Sequence, residues 1–196
     1  MKRLIYAITL SRLALAGVFA ALVAAADAAG VSLAWAAGLV LLAIVEEVTD
    51  LADGYLARRF GLTTELGGLL DPLMDSLSRL TMYFALGLAG WVTVAVPLVM
   101  VLRDVVVGYT RIIQARIGGQ TSARWSGKVK AIIQGGAVPV LIGLQWLARG
   151  RAEWAIVLQW ITAGGVIAVT LWSLIDYLRG AWGGIAAMYR GVERKP

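Results

Sequence analysis

Residues 50–75 read DLADGYLARRFGLTTELGGLLDPLMD and connect two long apolar runs of the chain. Four carboxylates fall inside this short stretch. Asp50 and Asp53 are three residues apart and Asp71 and Asp75 are four residues apart, so each pair shares one face of a helix. An acidic side chain inside a membrane span is costly and persists where it has a partner and a function. Four together, without an equal number of cations beside them, indicate a bound cation.

The chain around this stretch is too apolar for a soluble domain. Of its 196 residues 60% are hydrophobic, the mean hydropathy is +0.78, and its apolar runs reach the roughly 20 residues that cross a bilayer. The sequence therefore predicts an all-α integral membrane protein, with a single domain over residues 1–196 that forms a bundle of six transmembrane helices with short loops. The predicted spans are residues 5–27, 32–58, 65–89, 92–117, 127–148 and 154–178. Residues 179–196 are predicted to form an amphipathic tail at the membrane interface.

The basic residues predict an orientation. The formal charge is +6, which in a membrane protein indicates topology and contact with anionic lipid rather than with nucleic acid. One predicted side holds only Arg149 and Arg151, whereas both termini and most other basic residues fall on the opposite side. Because basic loops stay in the cytoplasm, both termini and the acidic stretch are predicted at the cytoplasmic face of the inner membrane.

The residue types also limit the chemistry. The sequence contains no Cys and no His, so disulfides, thiolate sites, cysteine nucleophiles and imidazole bases or ligands are all excluded. Carboxylate oxygens remain as metal ligands. These hard donors suit Mg²⁺, Mn²⁺ or Ca²⁺.

The spacing D-x2-D-G-x2-A-R-x8-G-x3-D-x3-D in this stretch resembles the signature of the CDP-alcohol phosphotransferase (CDP-alcohol phosphatidyltransferase) family. The chain matches every fixed position of that signature: Asp50, Asp53, Gly54, Ala57, Arg58, Gly67, Asp71 and Asp75. The resemblance implies an enzyme of phospholipid synthesis. It would transfer a phosphatidyl group from a CDP-linked lipid, CDP-diacylglycerol, to a small polar alcohol and release CMP.

The resemblance also implies roles for individual residues. Asp50, Asp53 and Asp71 would be metal ligands, and Asp75 would be the general base while also lying near the metals. Two Mg²⁺ or Mn²⁺ ions would be bound, and the protein would form a homodimer. The remaining fixed positions would surround CDP: Gly54, Ala57, Arg58 and Gly67.

Matches outside the motif are similar to the phosphatidylglycerophosphate synthase branch of the family. Thr9 and Arg12 match a T-x-x-R element of the first span and join the implied CDP site. This match favours a retained first span over a cleaved signal peptide, which the N-terminal run also resembles. The chain departs from the branch at Ile5-Tyr6, where Pro-Asn is usual, and at Ser76, where Lys is frequent.

Five basic residues are candidates for an acceptor pocket, since an acceptor that carries a phosphate needs cationic partners. Contact with anionic lipid is the alternative role for them. The expected acceptor is glycerol 3-phosphate, with an inositol phosphate or another polar alcohol as the alternative. The candidates are Arg103, Arg111, Arg124, Lys128 and Lys130.

Two other classes of function are alternatives to an enzyme. A divalent-cation channel or transporter also uses carboxylates in the membrane, but its polar residues should line a whole span. A non-catalytic lipid-binding scaffold would not need Asp75 as distinct from the metal ligands.

Deeper in the bundle, an ion pair is predicted between Glu46 and Arg79, because antiparallel spans put them at one depth. Glu47 is the competitor of Glu46, and Arg12 or Arg103 could take the place of Arg79.

Overall fold

The computed structural model describes residues 2–59, 65–116, 125–149 and 152–189. Side chains are described for residues 10–49, 59, 70–116, 125–149, 152–184 and 186. The described chain forms six helices, and only short turns join them where the connection is described. The helices are α1 (Lys2–Ala29), α2 (Leu33–Arg59), α3 (Glu65–Leu88), α4 (Ala95–Arg116), α5 (Trp125–Arg149) and α6 (Glu153–Tyr189).

The first five helices begin and end within a few residues of the predicted segments, but the predicted end of the sixth is wrong. α6 does not stop at residue 178; it continues to Tyr189. Tyr177 and Ala181 are four residues apart and both are buried, so the inward face of the helix continues past the predicted break. Part of the predicted tail is therefore a continuation of α6, and residues 190–196 lie outside the described chain.

Within the described residues, three helical segments are long and apolar enough to cross a membrane by length and composition. They are Leu10–Ala29, Trp125–Arg149 and Glu153–Gly184. The outer surface of the bundle exposes large apolar side chains such as Leu41, Ile132 and Trp160. An apolar exterior of this kind is typical of contact with lipid.

Buried apolar side chains fill the core of the bundle. Phe19, Leu39, Leu86 and Leu141 are each at most 1% exposed. α1 packs against both α2 and α3, α2 also packs against α5, and α6 packs against α4 and α5. The Tyr83 hydroxyl donates to the Gln134 carbonyl at 2.7 Å and so joins α3 to α5. These contacts bring α2, α3 and α5 together around the residues that the sequence singles out.

The opposite end of the bundle has its own polar contacts. Asp27 at the end of α1 accepts hydrogen bonds from Trp91 Nε1 and from Arg149 Nη2. Gly90 takes a positive φ of 71° in the turn between α3 and α4, a conformation that glycine adopts without steric cost. Because consecutive helices reverse direction, the acidic motif lies at the other end.

Candidate active site

Asp75 is held by two arginines from different parts of the bundle. It lies ten residues into α3, about 15 Å along the helix axis, and its side chain is 26% exposed. Arg12 of α1 donates from Nη2 to Oδ1 at 3.3 Å. Arg79, one turn further along α3, places Nη1 3.0 Å from Oδ1 and 3.1 Å from Oδ2. These charge-assisted contacts keep the Asp75 side chain as an oriented carboxylate.

Arg79 also binds a carboxylate on α2, but not the predicted one. Its Nε donates to Glu47 Oε1 at 3.2 Å, and its Nη2 donates to Glu47 Oε2 at 3.2 Å. The predicted pairing of Glu46 with Arg79 is therefore wrong, and the competing partner Glu47 takes its place. Glu46 is about 100° further round the helix and faces the region of Arg12 and Ser78. Both Glu46 oxygens are buried, and the carboxylate interacts with the Ser78 side chain and with the charge of Arg12.

Of the four aspartates predicted to bind metal, the structure describes the side chains of Asp71 and Asp75. Asp50 and Asp53 lie on the last turns of α2, outside the described side chains, and no group of three possible ligands occurs among the residues that are described. Asp71 and Asp75 lie one turn apart on α3, with Asp71 exposed. Two carboxylates on one helix face fit a hard divalent cation. If Asp75 binds the metal, its carboxylate would give up part of its contact with Arg79.

Of the six residues assigned to CDP, the structure describes one side chain. Arg12 is 2% exposed, and its guanidinium reaches Asp75. It thus connects the first helix directly to the motif. The backbone places the predicted glycines on the ends of α2 and α3 that flank residues 60–64. The other five assigned side chains lie outside the described ones: Thr9, Gly54, Ala57, Arg58 and Gly67.

Three of the five predicted acceptor residues belong to one network of contacts, which reaches Ser76, the residue after Asp75. Asp104 on α4 is paired with Arg103 at 2.8 Å and with Lys130 of α5 at 3.3 Å. Ser76, the residue after Asp75, also interacts with Asp104. Arg103 donates a further hydrogen bond to Ser173 of α6 at 2.7 Å. The basic group is therefore anchored on α4, α5 and α6 and lies beside the motif.

Arg111 joins this group through a tyrosine. Its Nη2 donates to the Tyr177 hydroxyl at 2.8 Å. The guanidinium carbons of Arg111 and Arg103 lie 5.3 Å and 5.2 Å from the centre of the Tyr177 ring, within the range of cation–π attraction. Tyr177 thus sets the position of two cations at once.

The other two predicted acceptor residues are not part of this cluster as described. Lys130 is buried whereas Lys128 is exposed, because residues two apart on a helix point about 200° apart. Arg124 lies outside the described residues.

Sequence reasoning missed the contribution of α6. The sequence predicts this segment only as a span, yet Ser173 and Tyr177 contact the basic group, and Asp176 accepts a hydrogen bond from Ser126. The rule applied to the acidic motif, that a carboxylate in a span marks a function, would have drawn attention to Asp176 and its neighbours.

Comparison with known proteins points to one family. The sequence model that describes the CDP-alcohol phosphatidyltransferase family matches residues 4–175 of this chain. The CDP-diacylglycerol–glycerol-3-phosphate 3-phosphatidyltransferase of Yersinia pestis (strain Pestoides F) is 34% identical over 151 residues, which cover 72% of this chain and 77% of that protein. The protein of the same name from Haemophilus influenzae is 32% identical, with 74% of this chain and 77% of that protein covered. The one from Blochmanniella floridana is 27% identical, with coverage of 70% and 72%.

Proposed function

Because this chain belongs to the CDP-alcohol phosphatidyltransferase family, we propose that it transfers the phosphatidyl group of CDP-diacylglycerol to glycerol 3-phosphate and releases CMP. The names of its relatives support this choice of substrates. One structural observation carries the proposal. The carboxylate of Asp75 is oriented by two arginines, and Ser76, the next residue, interacts with Asp104, on which a group of cations is anchored. This arrangement supports a role for Asp75 as the base and for the neighbouring cations as the site of an anionic acceptor.

In the proposed reaction, Asp75 accepts the proton of the free primary hydroxyl of glycerol 3-phosphate. The resulting alkoxide attacks the lipid-side phosphorus of CDP-diacylglycerol. The new O–P bond forms as the bond between that phosphorus and the CMP oxygen breaks. Arg12 and Arg79 hold the Asp75 carboxylate in the orientation that receives the proton.

Asp50, Asp53 and Asp71, with Asp75 beside them, are the residues that would hold two Mg²⁺ or Mn²⁺ ions. Ions bound there would neutralise the negative charge of the pyrophosphate and the charge that develops on the leaving group. The phosphate of the acceptor would lie on the basic group. Arg103 and Lys130 share the single carboxylate of Asp104, so this trio keeps one positive charge.

Arg111 adds another cation. No ion pair joins it to a carboxylate of the described residues, and its Nε is buried there without a hydrogen-bond partner. Arg111 is therefore the cation best placed to receive the acceptor phosphate. Two further residues are proposed to contact the acceptor from the edge of this site: Arg124, which directly precedes α5, and Lys128, which is exposed on the first turn of α5.

The membrane arrangement is part of the same proposal. All six helices would span the inner membrane, with both termini and the active site at the cytoplasmic face, since the basic residues concentrate there. A homodimer is proposed with it. Gly164 and Gly165 on α6 are exposed, and an added Cβ at either would meet nothing within 4 Å. Glycines of this kind let a second helix approach closely.

A purified sample in lipid nanodiscs tests the proposal directly. With CDP-diacylglycerol and Mg²⁺ present, CMP release is measured for glycerol 3-phosphate, an inositol phosphate, serine and choline in turn. We expect release with glycerol 3-phosphate and loss of release in Asp75→Asn. Release with an uncharged or zwitterionic alcohol alone would refute the acceptor assignment, and no release with any alcohol would refute the reaction.

A further inference from the structure

A glycine on α5 makes room for the Glu47 carboxylate. A Cβ atom added to Gly135 would lie 2.5 Å from Glu47 Oε1, 2.6 Å from Cδ and 2.8 Å from Oε2. Non-bonded heavy atoms prefer separations of about 3.5–4.0 Å. Gly135 lies inside a continuous helix, where glycine is less favourable than alanine. Space for the carboxylate is therefore the evident reason for a glycine at this position.

Glu47 in turn fixes the direction of Arg79. Two parallel hydrogen bonds of 3.2 Å hold Nε and Nη2 of the guanidinium. Because the guanidinium is planar and rigid, holding two of its nitrogens also fixes the third. That third nitrogen is Nη1, and it contacts both oxygens of Asp75. A chain of direct contacts therefore runs from α5 through α2 to the carboxylate on α3.

We propose that Gly135 and Glu47 are positioning residues for Asp75, acting through Arg79. The inference rests on the proposed function, in which Asp75 is the base. A side chain at residue 135 would push the Glu47 carboxylate away by about 1 Å to restore ordinary contact. A shift of that size takes 3.2 Å hydrogen bonds beyond their working range. Arg79 would then lose its hydrogen bonds to Glu47, and its contact with Asp75 would no longer be held from α2.

The adjacent residue provides a matched control. Gly136 lies on the same helix, and a Cβ atom added there would meet nothing within 4 Å. Gly135→Ala and Gly136→Ala thus make the same chemical change and the same gain in helix propensity. They differ in the contact with Glu47. Because the atoms displaced by Gly135→Ala belong to the end of a flexible side chain, that variant should fold.

The first experiment measures kcat and KM for both substrates in nanodiscs. We expect Gly135→Ala to lower kcat about tenfold to a hundredfold, the scale of loss that a misplacement of about 1 Å produces. The KM values for CDP-diacylglycerol and glycerol 3-phosphate should stay unchanged, and Gly136→Ala should behave as the parent protein does. Equal kinetics of the two alanine variants would overturn the proposal, as would a rise in KM at unchanged kcat.

A double-mutant cycle tests the route through Glu47. Glu47→Ala should lower kcat to about the level of Gly135→Ala, and Gly135→Ala added to it should have no further effect, because no carboxylate remains to be displaced. If the Gly135→Ala loss persists in full in the Glu47→Ala background, the route is refuted. Asp75→Asn is measured in parallel. An inactive Asp75→Asn beside a fully active Gly135→Ala overturns this inference alone, whereas an active Asp75→Asn overturns the proposed role of Asp75 as the base, on which the inference rests.

Discussion

Arg12 Nη2 lies 3.3 Å from Asp75 Oδ1, although the two residues are 63 positions apart in the sequence. The Arg12 side chain is 2% exposed, so its charge is compensated inside the bundle and not by water. This contact ties the first helix to the last aspartate of the motif. It also means that a residue assigned to CDP from the sequence orients the carboxylate proposed as the base.

Metal dependence is the first expected outcome. Asp71→Asn should abolish turnover, as should Asp50→Asn and Asp53→Asn, because each removes charge from a site built only of oxygen ligands. EDTA should stop the reaction, and Mg²⁺ or Mn²⁺ should restore it. Asp27→Asn is the control, since Asp27 lies at the opposite end with Trp91 and Arg149. Full CMP release in the presence of chelator would contradict the mechanism.

Asp75 should matter more for the chemical step than for nucleotide binding. Asp75→Asn should keep CDP affinity within about tenfold, equivalent to about 1.4 kcal/mol, while kcat nearly vanishes. Isothermal titration with CDP and single-turnover kinetics give the two quantities. If affinity and turnover fall together by the same factor, Asp75 is chiefly a metal ligand.

Lys130 is expected to contribute to binding of the acceptor. Lys130→Gln should raise KM for glycerol 3-phosphate and leave KM for CDP-diacylglycerol nearly unchanged, because it removes a buried cation beside Asp104. Lys128→Gln should have the same sign and a smaller effect, since the Lys128 side chain is exposed. Steady-state kinetics with each substrate varied in turn provide the comparison. An effect of Lys130→Gln confined to the lipid substrate would argue against an acceptor site here.

Tyr177 should contribute through its hydroxyl. Tyr177→Phe removes the partner of Arg111 Nη2 and keeps the ring that lies under both arginines. Hydrogen bonds to charged groups contribute about 1.5–3 kcal/mol, so KM for glycerol 3-phosphate should rise by about tenfold or more. Tyr177→Leu, which removes the ring as well, should raise it further. Identical kinetics of Tyr177→Phe and the parent protein would show that Arg111 does not depend on this contact.

Dimer formation should involve the exposed glycines of α6. In bilayers, a cysteine introduced near Gly164 should form a disulfide-linked dimer, because the parent chain has no cysteine to compete. Replacing Gly164 and Gly165 by leucine should reduce cross-linking through a cysteine placed elsewhere, since larger side chains block close helix approach. Trapping only monomer over a range of lipid dilutions would count against the dimer.

The sequence by itself determined the helices and the family. Apolar runs of this length predict helices in a membrane, because a helix makes every backbone hydrogen bond within its own segment. Breaks rich in glycine and charge show where the first five helices end, but not the sixth. The fixed spacing of the motif residues resembles the signature of the family, and the family model, which matches residues 4–175, confirms that resemblance.

Only the tertiary structure decided which charged residues meet. Glu46 and Glu47 are adjacent and chemically identical, yet Glu47 binds Arg79 and Glu46 is buried elsewhere. The choice depends on how α2 is rotated about its own axis, which its packing against α1 and α5 sets. The same holds for Tyr177, whose partners Arg103 and Arg111 come from another helix. Local spacing fixes the face that residues share within one helix, whereas the partner opposite that face follows from the packing of the whole bundle.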